Sequence, residues 1–212
     1  MIKILASFCD CVRRAYIKFV KPVFFTSRLG YCGKNVNFRN IKHCPNQVLS
    51  RVYLYDNTTL NNFTFITASG KFIMKKGSGA ASGLTVITGN HQRQLGHFFQ
   101  NQQAYQKLDV EKDVVVEEDA WIGANVTLLS GVSVGRGATI GAGSVCIKNV
   151  PPYAVVMGNP AKVISFNFSP EEVIEHEKLL YPEEERLPIE LLQKNYKKYF
   201  IDRANEIKSF IK

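Results

Sequence analysis

The sequence holds a single tryptophan and only four histidines, and no apolar stretch approaches the 18 residues of a membrane span. A membrane-spanning helix is therefore not expected. Cysteine is scarce and odd in number: Cys9, Cys11, Cys32, Cys44 and Cys146 form no regular framework. Cys9 and Cys11 make only a C-x-C, and no pair has the spacing of a zinc site, so no metal is expected. This usage fits a reducing compartment. No secretory signal is expected either, because Asp10, Arg13 and Arg14 interrupt any apolar run near the start; a cytoplasmic location is the expectation. Acidic residues are outnumbered, 18 against 27 basic, for a net charge of +9. That balance invites a nucleic-acid reading. The basic residues never run longer than two, however, and a basic surface equally suits a small anionic ligand, so no nucleic-acid partner is expected. Hydrophobic content of 45% leaves ample material for a core and excludes a disordered chain.

What the sequence does have is a repeat. Val116, Ile122, Leu128, Val134, Ile140 and Cys146 recur at a strict interval of six. Four residues after each stands a small or β-branched side chain: Ala120, Val126, Val132, Ala138, Ser144 and Val150. Helices need apolar residues every three or four positions and half-buried strands every two, so a strict six fits neither alone. It fits a chain climbing a coil in short straight pieces with turns between them, a β-helix in which each coil rests on the one below. Gly123, Gly135 and Gly141 directly follow three of the aliphatic positions and are expected to supply turn conformations that other residues resist. Weaker coils occupy 28–90. Leu54, Leu60 and Ile66 hold the period, as do Met74, Ala80 and Val86. The interval of eight from 66 to 74 places a slip around Ser69–Gly70, and Asn57, Asn61, Asn62, Gly77, Gly79 and Gly83 read as turn residues.

The run Val116–Ile164, which ends PPYAVVMGNPAKVI, resembles the hexapeptide-repeat acyltransferases, in particular the maltose, galactoside and surface-polysaccharide O-acetyltransferases. The resemblance implies a mainly β fold: a left-handed parallel β-helix with triangular coils, three hexapeptides per coil, assembled as a homotrimer. Its hand comes from the resemblance alone. The β-helix domain is expected over 28–166. A polar, Gln-rich loop at 91–113 is too long for a corner and reads as the family's extended loop reaching a neighbouring subunit. An N-terminal helical segment, 1–27, precedes the domain. Within 1–20 Leu5, Phe8, Val12, Tyr16, Phe19 and Val20 follow helical spacing while Lys3, Arg13, Arg14 and Lys18 stand elsewhere, and Pro22 stops or bends the helix. This basic amphipathic helix either covers the open end of the coil stack, the preferred reading because a β-helix must be closed, or makes peripheral contact with the inner face of the membrane. A helical extension, 167–212, opens with the capping box Ser169-Pro170-Glu171-Glu172 and includes a second helix from about Pro188.

His91 follows VITGN where the repeat ends and the loop begins, and matches the family's catalytic histidine in its T-x-G-H-like context. An imidazole titrating near pH 6.5 suits removal of a hydroxyl proton at neutral pH; the plain alternative is a turn histidine making an ordinary hydrogen bond. His97 is the second candidate for the base or a substrate contact. His43 and His176 read as surface residues. Trp121 matches the tryptophan of the W-I-G motif, which the family places beside the active site of the next subunit. For acetyl-CoA, the resemblance implies backbone contacts at Ala124 and Ala142, one coil apart, and phosphate contacts at Lys148, in I-K-N-V-P, and Lys162, in N-P-A-K. Ile147 and Asn149 replace the family's threonine and aspartate in that phrase. Asn61 or Asn62 falls where the family binds sugar, while its nearby aspartate is replaced by Ser69. No acidic partner for His91 follows from spacing.

The expected function is thus an acetyl-CoA-dependent O-acetyltransferase, with a role in surface-polysaccharide biosynthesis among the candidates. The acceptor remains open between a monosaccharide, a nucleotide sugar, a lipid-linked glycan and a drug hydroxyl. Two alternatives stand beside it: N-acetylation of an amino sugar or nucleotide sugar, and a non-catalytic hexapeptide scaffold. A zinc enzyme of this fold would need three well-placed histidines. His91 and His97 supply two, and His43 lies far away in the chain.

Overall fold

The structure, a computed structural model, describes residues 2–39, 46–67, 69–91, 93, 95–98 and 110–211. The chain climbs through stacked coils whose short strands build three sheets of parallel pairing. The first face carries, in order, Tyr31–Cys32, Val52–Leu54, Phe72–Met74, Val114–Val116 and Ser133–Val134. The second carries Asn37–Arg39, Thr59–Asn61, Gly79–Ala80, Trp121–Ile122, Thr139–Ile140 and Ala154–Met157, followed by the antiparallel Lys162–Phe166. The third carries Thr64–Ile66, Thr85–Ile87, Thr127–Leu128 and Val145–Cys146. This is a parallel β-helix. Its strands are only two to five residues long because a corner interrupts the chain after each one.

The six-residue period sets the stacking. Val116 pairs with Val134, Ile122 with Ile140 and Leu128 with Cys146, each with the residue eighteen positions on. These six side chains are fully buried, as are Ala120, Val126, Val132 and Ala138. In the earlier coils the expected phase needs one correction. Leu54 and Leu60 point inward, but Ile66 is half exposed and Phe65 takes its place, in register with Val86. The corner after Leu60 is one residue shorter than the corner after Ala80, so a slip at Asn61–Phe63 precedes the expected one around Ser69–Gly70, where the chain takes nine residues from Phe65 to Met74.

The glycines also have a different reason from the one expected. Gly123 and Gly135 do not have positive φ. A Cβ on Gly123 would stand 2.7 Å from the Ala142 nitrogen, and one on Gly135 2.5 Å from the Pro152 nitrogen. They are small because the next coil's backbone lies against them. The left-handed residues come two positions later, at Asn125 and Gly137, and recur along two corners, for instance at Asn57, Gly77 and Asp119. Asn61 and Gly79, read from sequence as turn residues, lie in strands.

At the N-terminus, α1 (Ile2–Ala15) runs into a π-helical turn at Tyr16–Val20 and then α2 (Lys21–Thr26). Pro22, which has no N–H for the preceding turn, sits at the start of α2, so the helical path continues past it. The preferred end-cap role does not hold for this helix. Every described side chain from 7 to 20 is exposed, and it is Phe25 and Leu29 that pack on the core, the Phe25 ring 6.4 Å from Phe38.

The C-terminal extension forms α3 (Pro170–Leu180), α4 (Ile189–Tyr199) and α5 (Ala204–Ile211). The Ser169 capping box is present, the Ser169 hydroxyl accepting from the Glu172 N–H and Glu172 accepting from the Ser169 N–H. The extension is fastened to the last coil through a buried carboxylate. Glu177 accepts from Tyr153 Oη at 3.0 Å, from Arg136 Nη1 at 3.3 Å and from the Leu187 N–H at 2.6 Å. Arg136 also donates to Glu118 and stacks on the Tyr181 ring. His176, expected on the surface, is instead half-buried beside Phe168 and Tyr153; a helix face that covers a coil end buries its polar residues too. His43 and Cys44 lie outside the described residues.

Candidate active site

His91 stands immediately after the short strand Gly89–Asn90, at the corner where the third coil leaves its third face. That strand pairs antiparallel with Val110–Glu111 on the returning side of the excursion, Asn90 opposite Val110 and Gly89 opposite Glu111. A two-strand stem thus holds the base of the loop. Its far side is fixed by one carboxylate. Glu111 Oε2 accepts from the Ser69 N–H at 2.7 Å and the Gly70 N–H at 2.5 Å, and lies 3.1 Å from the hydroxyls of Thr67 and Thr88. Thr88 is fully buried, three residues before His91. Gly70 is required here, because a Cβ would stand 2.6 Å from that of Thr88.

Glu111 was not identified from sequence. The resemblance marks the aspartate replaced by Ser69 as a loss, yet a carboxylate does reach Ser69, from a residue 42 positions later. No spacing rule could find it, because the connection runs through an antiparallel pairing across the excursion. His97 is exposed in the loop beyond, within a turn at 95–97.

The other expected site residues divide between separate lines of the coil. Lys148 is exposed at the same type of corner as His91, two coils along, about 10 Å at the usual strand spacing. Ala124 and Ala142 stack at the corner between the second and third faces, where the Gly143 N–H donates to the Ala124 carbonyl at 2.8 Å. The coil there presents small side chains and backbone to solvent, a surface an extended chain can lie against. Asn62 occupies the same corner nearer the start, with φ of +49° and its side-chain amide donating to Ser82 Oγ at 3.0 Å. Asn61 ends the adjacent strand, and its Oδ1 is buried with no hydrogen-bond donor among the described residues. Trp121 lies on the second face, half exposed. A Cβ on Gly79 would stand 3.0 Å from its ring, so the glycine lets the indole lie flat over the coil below.

In a triangular coil the corner bearing His91 is opposite the face bearing Trp121. The chain therefore brings His91, Glu111 and Lys148 to one edge, and Asn61, Asn62, Trp121, Ala124 and Ala142 to another face and its far corner. It does not join the two groups. Lys162, at the start of the closing antiparallel strand, is held by the C-terminal extension: its ammonium lies 3.2 Å from Glu206 Oε1 on α5. Arg203 shares that carboxylate, and the two cations hold Glu206 far below the usual carboxylate range, at about 2, with the Arg203 hydrogen bond the largest cause. Among the described residues no group of three or more His, Cys, Asp or Glu is placed to hold a metal.

The model of the bacterial transferase hexapeptide (six repeats) matches residues 113–148. A protein described as a probable macrolide acetyltransferase from Lysinibacillus sphaericus is 34% identical over 122 residues, which cover 57% of this chain and 66% of that one. The chain thus spans just under two thirds of that relative's length. Among solved structures, a maltose O-acetyltransferase from Clostridium difficile 630 superposes with a TM-score of 0.59 at 23% identity, over 76% of this chain and 84% of that one. A hexapeptide-repeat acetyltransferase from Vibrio cholerae, solved with acetyl coenzyme A, gives 0.59 at 20% identity, over 79% and 90%. These two share the fold. Residues 113–148 carry the hexapeptide repeat, and the resemblance of the chain to the hexapeptide-repeat acyltransferases holds.

Proposed function

We propose that the protein is an acetyl-CoA-dependent O-acetyltransferase acting on a sugar or glycan hydroxyl, with the left-handed coil and homotrimeric assembly of the family it resembles. The observation that carries this reading is the placement of His91: at the end of a repeat coil, on a stem anchored by Glu111, in a fold shared with acetyltransferases. The His91 imidazole takes the proton of the acceptor hydroxyl. The oxygen attacks the thioester carbonyl carbon, the carbon–sulfur bond breaks, and the proton held by His91 goes to the departing thiolate. Glu111 touches neither reactant; it holds the strand that presents the histidine. The pantetheine arm lies along the Ala124 and Ala142 corner, with Lys148 and Lys162 toward the phosphates. Asn61 Oδ1, an acceptor with no donor among the described residues, suits a hydroxyl of the acceptor, and Asn62 and His97 are further candidate contacts in the same reading. The division of these residues between two lines favours a groove between copies, each supplying one line, with Trp121 facing the neighbour's histidine.

The test is thiol release from acetyl-CoA by the wild type and by His91→Ala, across sugars, glycan fragments, an amino sugar and a macrolide. Release that requires an acceptor and drops about 10²–10⁴-fold in the variant, with coenzyme binding retained, is the expected result. Full activity in His91→Ala would remove the histidine from the mechanism and turn attention to His97. Exclusive formation of an amide product would favour N-acetylation, and absence of coenzyme binding would leave only the scaffold.

A further inference from the structure

The N-terminal helical rod is a feature that the acetyl-transfer reading leaves unused. At about 100° per residue, the positions of Ile4, Leu5, Phe8, Val12 and Ala15 fall within one third of the α1 circumference. Those of Lys3, Ser7, Asp10, Arg13 and Arg14 fall within the opposite third. The described apolar side chains along the rod are exposed: Phe8 and Val23 are both 66% exposed, with Val12, Tyr16 and Val20 all just over half exposed. Single exposed apolar residues are ordinary, but a continuous apolar stripe on a projecting helix is not. Among the described residues the rod is anchored at its end, through Phe25 and the following Leu29 on the first coil. Among the described residues no helix is long and apolar enough to cross a membrane, so the stripe suits a surface and not a span.

Charge decides the occupant. Residues 1–30 hold six basic side chains, Lys3, Arg13, Arg14, Lys18, Lys21 and Arg28, against Asp10 alone. Their net +5 is more than half of the protein's +9, carried by the first 30 of 212 residues. A second copy of the rod laid on this stripe would bring two such charge sets together. An anionic lipid surface accepts the apolar stripe between its headgroups and neutralises the basic flank. We propose that the rod lies in the plane of an anionic membrane surface, with Phe8, Val12 and Phe19 in the headgroup–acyl boundary and Arg13 and Arg14 on the lipid phosphates. The first coil is thereby held at the membrane. This placement stands apart from the catalytic reading and survives its failure.

The test uses the full chain and co-sedimentation with vesicles of phosphatidylcholine alone or mixed with phosphatidylglycerol, at low and high salt. The wild type is expected to pellet with the anionic vesicles and to be released by salt. Arg13→Gln with Arg14→Gln should lower the partition coefficient about thirtyfold, from the loss of two surface cations. Phe8→Glu with Val12→Glu should abolish pelleting while leaving the thermal midpoint unchanged, because both positions are exposed in the folded chain. Leu179→Glu, on an exposed position of α3, serves as the control and should bind as the wild type does. The proposal is overturned by a wild type that stays in solution with both vesicle types, or by undiminished pelleting of the Phe8/Val12 variant. It is equally overturned if light scattering shows that variant falling to a smaller assembly in the absence of lipid, since the stripe is then covered by another copy.

Discussion

Replacing Glu111 tests how the candidate base is held. Two backbone amides, of Ser69 and Gly70, converge on Glu111 Oε2, and each of the Thr67 and Thr88 hydroxyls has only one proton and a second nearby acceptor. The firm loss in Glu111→Ala is therefore the two amides. Ser69 is exposed, so its N–H regains water. Gly70 is buried, so its N–H is left with the penalty of an unmade bond, which together with the lost charge assistance comes to about 2–3 kcal/mol. Glu111→Gln keeps an oxygen in place and loses only the charge, about 1 kcal/mol. Amide hydrogen exchange reads this directly. Opening at Gly70 should become about 30- to 150-fold more frequent in the alanine variant and about fivefold in the glutamine variant. Turnover should fall in the same order, because Gly89, opposite Glu111, is two residues from His91, while KM for acetyl-CoA should not move. Equal exchange at Gly70 in all three proteins would refute the anchoring argument, whatever the activity did.

Ile122→Ala removes a fully buried side chain stacked between Ala80 and Ile140, and should cost about 2–5 kcal/mol in denaturant unfolding, against less than about 0.5 kcal/mol for Ile147→Ala on the half-exposed corner. Glu177→Ala removes the carboxylate beneath the C-terminal extension; Arg136 keeps Glu118, so a loss near the lower end of the usual 3–5 kcal/mol, about 3 kcal/mol, is expected, and a loss below about 1 kcal/mol would show that the extension is held otherwise. Burial raises Cys146 from 9.0 to about 11 and Tyr181 from 10.0 to about 12, and Tyr153 upward as well, with the Glu177 charge adding to burial there. A folded state that keeps these protons when the unfolded chain has released them loses stability as pH rises, so the thermal midpoint should decline progressively above about pH 9. A midpoint flat from pH 8 to 11 would contradict that sign.

The coils from 116 to 150 were legible because nothing interrupts them: one turn is eighteen residues, each inward aliphatic meets another, and period alone fixes the phase. Legibility ended where a corner changed length. Dropping one residue between Leu60 and Phe65 turned Ile66 outward, and period counting kept the wrong side chain inside. The corner glycines were found, but composition could not separate a residue that needs positive φ from one that needs no Cβ; only the 2.7 Å approach of the Ala142 nitrogen does so at Gly123. Amphipathic spacing in 1–20 announced an apolar face correctly and could not say what covers it, since the closing residues of the coil, Phe25 and Leu29, lie past the pattern. Glu111 was invisible for a different reason: its partners are set by strand pairing across a long excursion, a non-local contact with no periodic trace.

The same geometry explains why the site residues looked like one constellation in sequence and form two in space. A coil returns every eighteen residues to the same corner, so residues at that spacing, such as Ala124 and Ala142, are true neighbours. Residues at other spacings are sent to other faces, and His91 and Trp121, thirty residues apart around an excursion, end on opposite sides. A stiff coil cannot close that gap by bending, because its faces are tied by ladders at every level. Chemistry that needs both sides must come from two coils side by side, which is why the proposed assembly belongs to the mechanism and is more than a way to cover surface. Lys162 adds a constraint from this chain alone. With Glu206 already on its ammonium, a coenzyme phosphate at that position must displace α5's carboxylate or share the cation with it, so the C-terminal extension reaches the proposed donor site as well as the coil end it covers.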